Sequence, residues 1–403
     1  MAAGAEAASE VRSLYVHIPF CERKCEYCDF TSVAGKRREI DYVESLRTEL
    51  RMLAAAMPGL ELDTVFVGGG TPSFIEPELL ASVLTDIHMR FAVQPDAEIT
   101  LEANPSSVDE QRALVWHAAG FNRVSVGIQS LDDDCLRFLG RVHDAHRARD
   151  AVAEVRAAGF TSVNCDLIYA VPGLDDAHWR RSLEEVVALA PDHVSCYELT
   201  YEPQTPLYEA LRRGRVTAVA AEPALVQHWI AVELLGGAGY EQYEISNFAR
   251  PGIACRHNVN YWRNGYYAAA GVGAHGHLPA ALAHVAGCNG RGAVAVRYWH
   301  GRGIGPYVES LAAGRTPTLG TELVDRAGHE SERIMLGLRL MEGIRWQAPA
   351  SPEVRSLEDQ GLCRLAEGRL RVTRRGQEVL DQIIVRIAAE IDDPVPARSR
   401  AAG

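Results

Sequence analysis

His17-Ile18-Pro19-Phe20-Cys21-Glu22-Arg23-Lys24-Cys25-Glu26-Tyr27-Cys28-Asp29-Phe30 carries three thiols within eight residues, directly after the first apolar run of the chain. Soft sulfur ligands at this spacing suit an iron–sulfur cluster or zinc. A closed structural zinc site takes four protein ligands, and no fourth Cys or His follows closely. Three thiolates on a cubane of four irons leave one iron open to chelate a small molecule through an amine and a carboxylate. A zinc loop completed by a distant ligand is the competing reading. The other six of the nine Cys are scattered, which fits a reducing compartment rather than a disulfide scaffold.

Outward from the loop, short apolar runs alternate with amphipathic stretches. Strands are predicted at residues 14–18, 64–68, 98–101, 123–126, 162–168 and 193–197. Between the first two, Val43, Leu46, Leu50 and Leu53 fall on one helical face. Residues 77–90 and 109–119 read as further helices, with Gly120 and Gly159 where such helices should end. Six strands separated by helices imply parallel pairing with right-handed crossovers. Periodicity fits an open sheet and a closed or partial barrel equally.

The 403 residues, 47% hydrophobic and 23% charged, suggest two or three globular units. We place an α/β unit at 11–235, a less regular bridge at 236–320 and a C-terminal unit at 321–391, with loose ends at 1–10 and 392–403. In the C-terminal unit, helices at 331–342 and 352–361, a ribbon turning at Glu367-Gly368 and a last helix at 375–391 predict a small winged-helix-like α+β domain. The net charge of −12 argues against a nucleic-acid partner. No uncharged apolar run of 18 residues occurs, so no membrane span is predicted. The first ten residues lack a basic start and an apolar core, so a cytoplasmic location is expected.

CxxxCxxC after a first strand resembles the signature of radical S-adenosylmethionine (SAM) enzymes. That resemblance implies a partial (β/α)6 barrel. It also implies a [4Fe-4S] cluster on Cys21, Cys25 and Cys28 whose open iron binds the methionyl amine and carboxylate of S-adenosyl-L-methionine, and reductive cleavage of that ligand to a 5′-deoxyadenosyl radical. Gly68-Gly69-Gly70-Thr71-Pro72-Ser73 is, by itself, a tight turn whose glycines let backbone approach a ligand. It is similar to the family's GGTP segment, which implies contact of Gly69, Gly70, Thr71 and Pro72 with the methionyl amine. Glu102 closes the third strand, where a carboxylate accepts from hydroxyls or an ammonium; a solvated loop Glu is the plain alternative. Gln129 offers donor and acceptor, and Arg141 suits a carboxylate. Asp166 lies in an apolar strand, which is costly unless it is paired. The order of these pieces resembles the oxygen-independent coproporphyrinogen III oxidases and their HemW-type relatives, from Tyr15 through the C-terminal unit. This implies that Tyr15, Tyr27, Glu102, Gln129, Arg141 and Asp166 contact S-adenosyl-L-methionine.

Within that group, the oxidases carry CxxxCxxCxC, whereas this chain has Cys28-Asp29-Phe30, the HemW-type pattern. Cys255-Arg256-His257-Asn258-Val259-Asn260-Tyr261-Trp262 contains the HemW-type HNxxYW motif. Imidazole ligates haem iron, as thiolate does, so His257 is the candidate haem ligand and Cys255 a weaker one. Tyr261 and Trp262 offer flat apolar surface, and Arg256 a partner for a propionate. Gly271-Val272-Gly273-Ala274-His275-Gly276 spells GxGxxG but lacks a βαβ setting, so a dinucleotide site is rejected. The expected function is therefore a haem chaperone that binds cluster, S-adenosyl-L-methionine and haem. It would pass haem to client haem proteins, respiratory ones among them, with at most peripheral membrane contact. The electron donor is not identifiable, and whether the sulfonium is cleaved is left open. The alternative is oxygen-independent coproporphyrinogen III dehydrogenase, which oxidatively decarboxylates two propionates to give protoporphyrinogen IX.

Overall fold

The computed structural model describes residues 7–346 and 350–392. Most of the two end segments expected to be loose lies outside those residues. Ala7 and Ala8, however, are buried in the main core, so the loose start does not extend to them.

β1 (Ser13–Ile18), β2 (Glu61–Gly69), β3 (Ala92–Ala103), β4 (Arg123–Gln129), β5 (Ser162–Tyr169) and β6 (His193–Glu198) lie side by side in chain order, all parallel. These are the six strands expected from the apolar runs. Two short strands, β7 (Glu241–Gln242) and β8 (Asn247–Ala249), continue the sheet antiparallel beyond β6. A third, β9 (Ala268–Ala270), pairs parallel with the far side of β1. The outermost strands β9 and β7 are not paired with each other, so the nine-stranded sheet does not close. Tyr15 of β1 and Tyr197 of β6 nevertheless line one cavity, which a flat sheet would not allow. The architecture is a partial α/β barrel.

Helix α1 (Glu39–Ala56) buries Val43, Leu46, Leu50 and Leu53 as its periodicity requires. Helix α2 (Pro77–Arg90) opens on its proline. Helix α3 (Glu110–Ala119) is capped by Asp109, which accepts from the Arg112 N–H at 2.7 Å. It ends at Gly120, whose φ of 114° is open to glycine. The segment read as irregular holds more order than its sequence suggested. Helix α4 (Ala221–Gly237) runs through the expected 235/236 division. The short helix α5 (Arg256–Trp262) carries the HNxxYW motif. β10 (His275–Pro279), β11 (Ala295–His300) and β12 (Thr318–Val324) form a separate antiparallel sheet. Leu46, Leu235, Leu278 and Tyr298 belong to one continuous core, so barrel and bridge are packed together.

A second core, around Ile334, Leu357, Leu370 and Ile383, belongs to the C-terminal unit. It is built from α6 (Arg326–Gly337), β13 (Ile344–Arg345), α7 (Pro352–Asp359), β14 (Cys363–Ala366), β15 (Arg369–Val372) and α8 (Leu380–Asp392). The first helix starts at Arg326 rather than 331 because Asp325 caps it, accepting from the Gly328 N–H at 2.8 Å. The last helix is broken. Thr373 caps a four-residue turn, Arg374–Gln377, and α8 follows. Glu367 and Gly368 both have positive φ, 53° and 69°, as a two-residue hairpin turn needs.

Candidate functional site

One cavity of about 1070 Å³ runs from the cysteine loop down the inside of the curled sheet. Its upper wall is the loop itself. Val33 N–H donates to Pro19 O and Gly35 N–H to Cys21 O, both at 2.8 Å, pinning the loop's base. Cys21, Cys25 and Cys28 all face the cavity. The Thr71 hydroxyl donates to Cys21 Sγ, and Arg141 Nη1 to Cys25 Sγ, each at 3.3 Å. Burial pushes the Cys28 thiol up to about 11, so a proton leaves readily only when a cation takes its place. Three inward thiols with hydrogen-bond donors on two of them fit an iron–sulfur cluster.

Strand ends supply the next ring of side chains. Tyr15, Tyr27, Gly69, Gly70, Thr71, Glu102, Gln129, Arg141 and Asp166 all line the cavity. Pro72 does not; it begins a buried turn, Pro72–Phe74, behind the wall. The glycine run is dictated by crowding as much as by a ligand. Gly69 has φ 114°, and a Cβ there would meet the His17 ring at 2.6 Å. At Gly70 a Cβ would meet the Pro19 backbone at 2.7 Å. Tyr15 donates to His17 Nδ1 at 3.0 Å, while His17 Nε2–H donates to Thr31 O at 2.8 Å, which sets the tautomer. Glu102 accepts from the Gly69 N–H at 3.0 Å; burial, then the nearby Asp166, raise its carboxyl to about 7. Asp166 accepts from Ser125 at 2.8 Å and from Asn164 at 2.7 Å, and its buried carboxyl is also raised. The charge in the apolar strand is thus paired. Gln129 sits at φ 62°, just past a shift in strand register, a strained backbone of the kind concentrated at functional sites.

The lower end is closed by α5. Glu98 of β3 accepts from the Arg256 and His257 N–H groups at 2.8 and 3.1 Å, and from the Cys255 thiol at 3.3 Å. His257 is 1% exposed. Its Nδ1 bonds Thr64 Oγ1 at 2.7 Å, and its Nε2 bonds the Tyr261 hydroxyl at 2.8 Å. Thr64 donates onward to Ser13, so the imidazole carries its proton on Nδ1 and Tyr261 donates to Nε2. The ring also stacks on Phe66 at 5.2 Å. In this structure both ring nitrogens of His257 are hydrogen-bonded, and the ring ties the floor helix to β2. Arg256, expected to meet a propionate, donates to Asp96 O at 2.7 Å on the outside.

Between mouth and floor, the sequence reading missed Arg123, Ser125, Asn164, His193 and Ser195, which also line the cavity. They alternate along β4, β5 and β6 on the inward face. Polar residues two apart inside apolar strands were the available signal.

Residues 15–186 match the Radical SAM superfamily, and residues 325–379 the HemN C-terminal domain. The chain is 35% identical to the Heme chaperone HemW of Mycobacterium tuberculosis over 92% of this chain and 93% of that protein. It is 36% identical to the Heme chaperone HemW of Escherichia coli, over 87% and 86%. It is 33% identical to the mitochondrial radical S-adenosyl methionine domain-containing protein 1 of Bos taurus, over 96% and 89%. Among solved structures, coproporphyrinogen III oxidase (HemN) from Escherichia coli superposes with a TM-score of 0.79 at 20% identity, covering 96% of this chain and 92% of that one. At that identity the likeness speaks for the fold.

Proposed function

Because the chain belongs to the HemW group of the radical SAM superfamily, we propose that it is a haem chaperone that binds a [4Fe-4S] cluster and S-adenosyl-L-methionine and delivers haem to client haem proteins. The carrying observation is the single cavity on which Cys21, Cys25 and Cys28 converge with Tyr15, Glu102, Gln129, Arg141 and Asp166. Cys21, Cys25 and Cys28 would hold the cluster, which supplies an electron and one open coordination position. Thr71 and Arg141 stabilise the thiolates by hydrogen bonds. Arg141 also donates to Gly127 O at 2.8 Å, which fixes its guanidinium at the cavity wall. Glu102, with a carboxyl near 7, and Asp166 accept from the hydroxyls and ammonium of the ligand. Phe30, 66% exposed at the mouth, stands where the oxidase pattern has a Cys, and this favours transfer of haem over decarboxylation of a porphyrinogen.

Anaerobic reconstitution followed by spectra with and without haem tests the reading. Saturable haem binding, with no protoporphyrinogen IX formed from coproporphyrinogen III under reduction, is expected. Robust product formation would replace the chaperone by the dehydrogenase. A colourless protein after reconstitution would remove both.

A further inference from the structure

The GxGxxG stretch from Gly271 to Gly276, rejected as a dinucleotide site, has three glycines that still need a reason. It leads from β9 into β10. Gly271 has φ 104°, and a Cβ there would meet His17 O at 2.5 Å. Gly273 has φ 69°, and a Cβ there would meet Thr31 Oγ1 at 2.5 Å. At Gly276 a Cβ would run into the Tyr298 ring. The first two neighbours bracket the cysteine loop: His17 stands four residues before Cys21, and Thr31 three residues after Cys28. The stretch therefore lies against both ends of that loop, at a separation only glycine allows.

Hydrogen bonds give the contact a direction. Tyr42 of α1, fully buried, donates to His17 O at 2.7 Å and accepts from the Val272 N–H at 3.1 Å. Its ring packs edge-on against Phe20 at 5.5 Å. Gly271 is held from behind: its N–H donates to Glu49 at 2.8 Å, and its carbonyl accepts from His300 Nδ1 at 2.8 Å. Glu49 in turn accepts from Tyr307. The Gly273 N–H donates to Gly301 O at 3.0 Å. Because His17 Nε2–H donates to Thr31 O, the two ends of the loop are fastened to each other and to this one braced segment. We propose that Gly271-Val272-Gly273, linked through Tyr42, is a clamp that positions the cysteine loop from behind and so sets where the cluster presents its open iron to S-adenosyl-L-methionine. The clamp rests on the cluster reading of Cys21, Cys25 and Cys28. Its members do not line the cavity, so they act through the loop, where a small misplacement of a held group is felt in binding.

The test reads the reduced cluster by EPR in the full chain while S-adenosyl-L-methionine is added stepwise. Tyr42→Phe removes one hydroxyl and keeps the ring; Gly273→Ala puts a methyl group against Thr31. Each is expected to shift the g values of the ligand-bound cluster and to weaken S-adenosyl-L-methionine binding by about three- to tenfold, the worth of about one buried hydrogen bond. Tyr298→Phe is the control. Its hydroxyl accepts from the Ala269 N–H at 2.8 Å and donates to Ala269 O at 2.9 Å, next to the segment but away from the loop. That variant should bind within about twofold of wild type with unchanged g values. Unchanged g values and affinity in both loop-side variants, or an equal loss in Tyr298→Phe, overturn the clamp. Hydrogen exchange of the cluster-free chain gives a second readout. The Val33 and Gly35 amides, bonded to Pro19 O and Cys21 O, should exchange about three- to tenfold faster in Tyr42→Phe and Gly273→Ala than in wild type. Equal exchange overturns the clamp as well. A wild type that takes up no cluster would count against the cluster reading, and the exchange comparison would then decide the clamp by itself.

Discussion

The two ends of the barrel cavity carry the two most conspicuous motifs of the chain, and they are built in opposite ways. At the mouth, Cys25 and Cys28 are half-buried and face the cavity. At the floor, both nitrogens of His257 are occupied, the ring is stacked, and Glu98 holds the helix that carries it. Sequence spacing alone ranks both motifs as ligand sites, and the two differ in how fully the fold already satisfies them.

Substitutions at each end should break or sharpen that contrast. The largest effect is expected from Cys25→Ser, which should abolish the cluster, read as bound iron and visible absorbance, while circular dichroism of the protein stays unchanged. A variant that unfolds instead would place the loop on the architectural side. His257→Ala should do the reverse. It leaves Thr64 and Tyr261 without their partner and opens a cavity, so about 3 kcal/mol of stability should be lost in urea unfolding. Haem affinity should stay within about twofold of wild type if the ring keeps both hydrogen bonds; a large loss of haem binding would make His257 the haem ligand that its motif suggests.

Acid should narrow that stability gap. Burial holds the folded His257 pKa at about 3, below the ordinary 6.5. Below pH 6.5 the unfolded chain takes up a proton that the folded chain refuses, so the wild type loses about 1.4 kcal/mol per pH unit on this account. The variant has no such loss, and the two urea midpoints should converge between pH 7 and pH 5. Glu98→Gln should cost about 1–2 kcal/mol, because a neutral amide caps the floor helix less well than a carboxylate. The smallest effect is expected at Phe30, exposed at the mouth, where Phe30→Ala should change stability by less than about 0.5 kcal/mol.

The repeating part of the fold was legible because each parallel strand is an apolar run, α1 has a periodic apolar face, α2 opens on Pro77, and α3 runs from the Asp109 cap to Gly120. Helix α4 was not, because Ala224, Ile230, Ala231 and Leu235 lie in a stretch apolar on nearly every side, without a period to read. β9 is three alanines, a residue with little strand preference, and it is fixed only by pairing with β1. At the site, the cysteine loop could be read from spacing. Glu102 and Gln129 carry only the weak signal of a polar residue at a strand end, and Tyr15 and Tyr27 carry none, because what makes them neighbours is the curl of the sheet; the tyrosines come from likeness to a family alone. Arg123 was hidden by the same cause.

Glu98 and Glu102 occupy one strand, four residues apart. That is roughly 13 Å of nearly inextensible backbone at a strand's rise per residue. Glu98 grips the plug below, and Glu102 sits among the ligand-facing groups above. β3 is thus the one stretch of backbone to which both the floor helix and the ligand-facing ring are tied. A substitution in the HNxxYW helix that loosens the grip of Glu98 therefore acts on the same strand that carries Glu102.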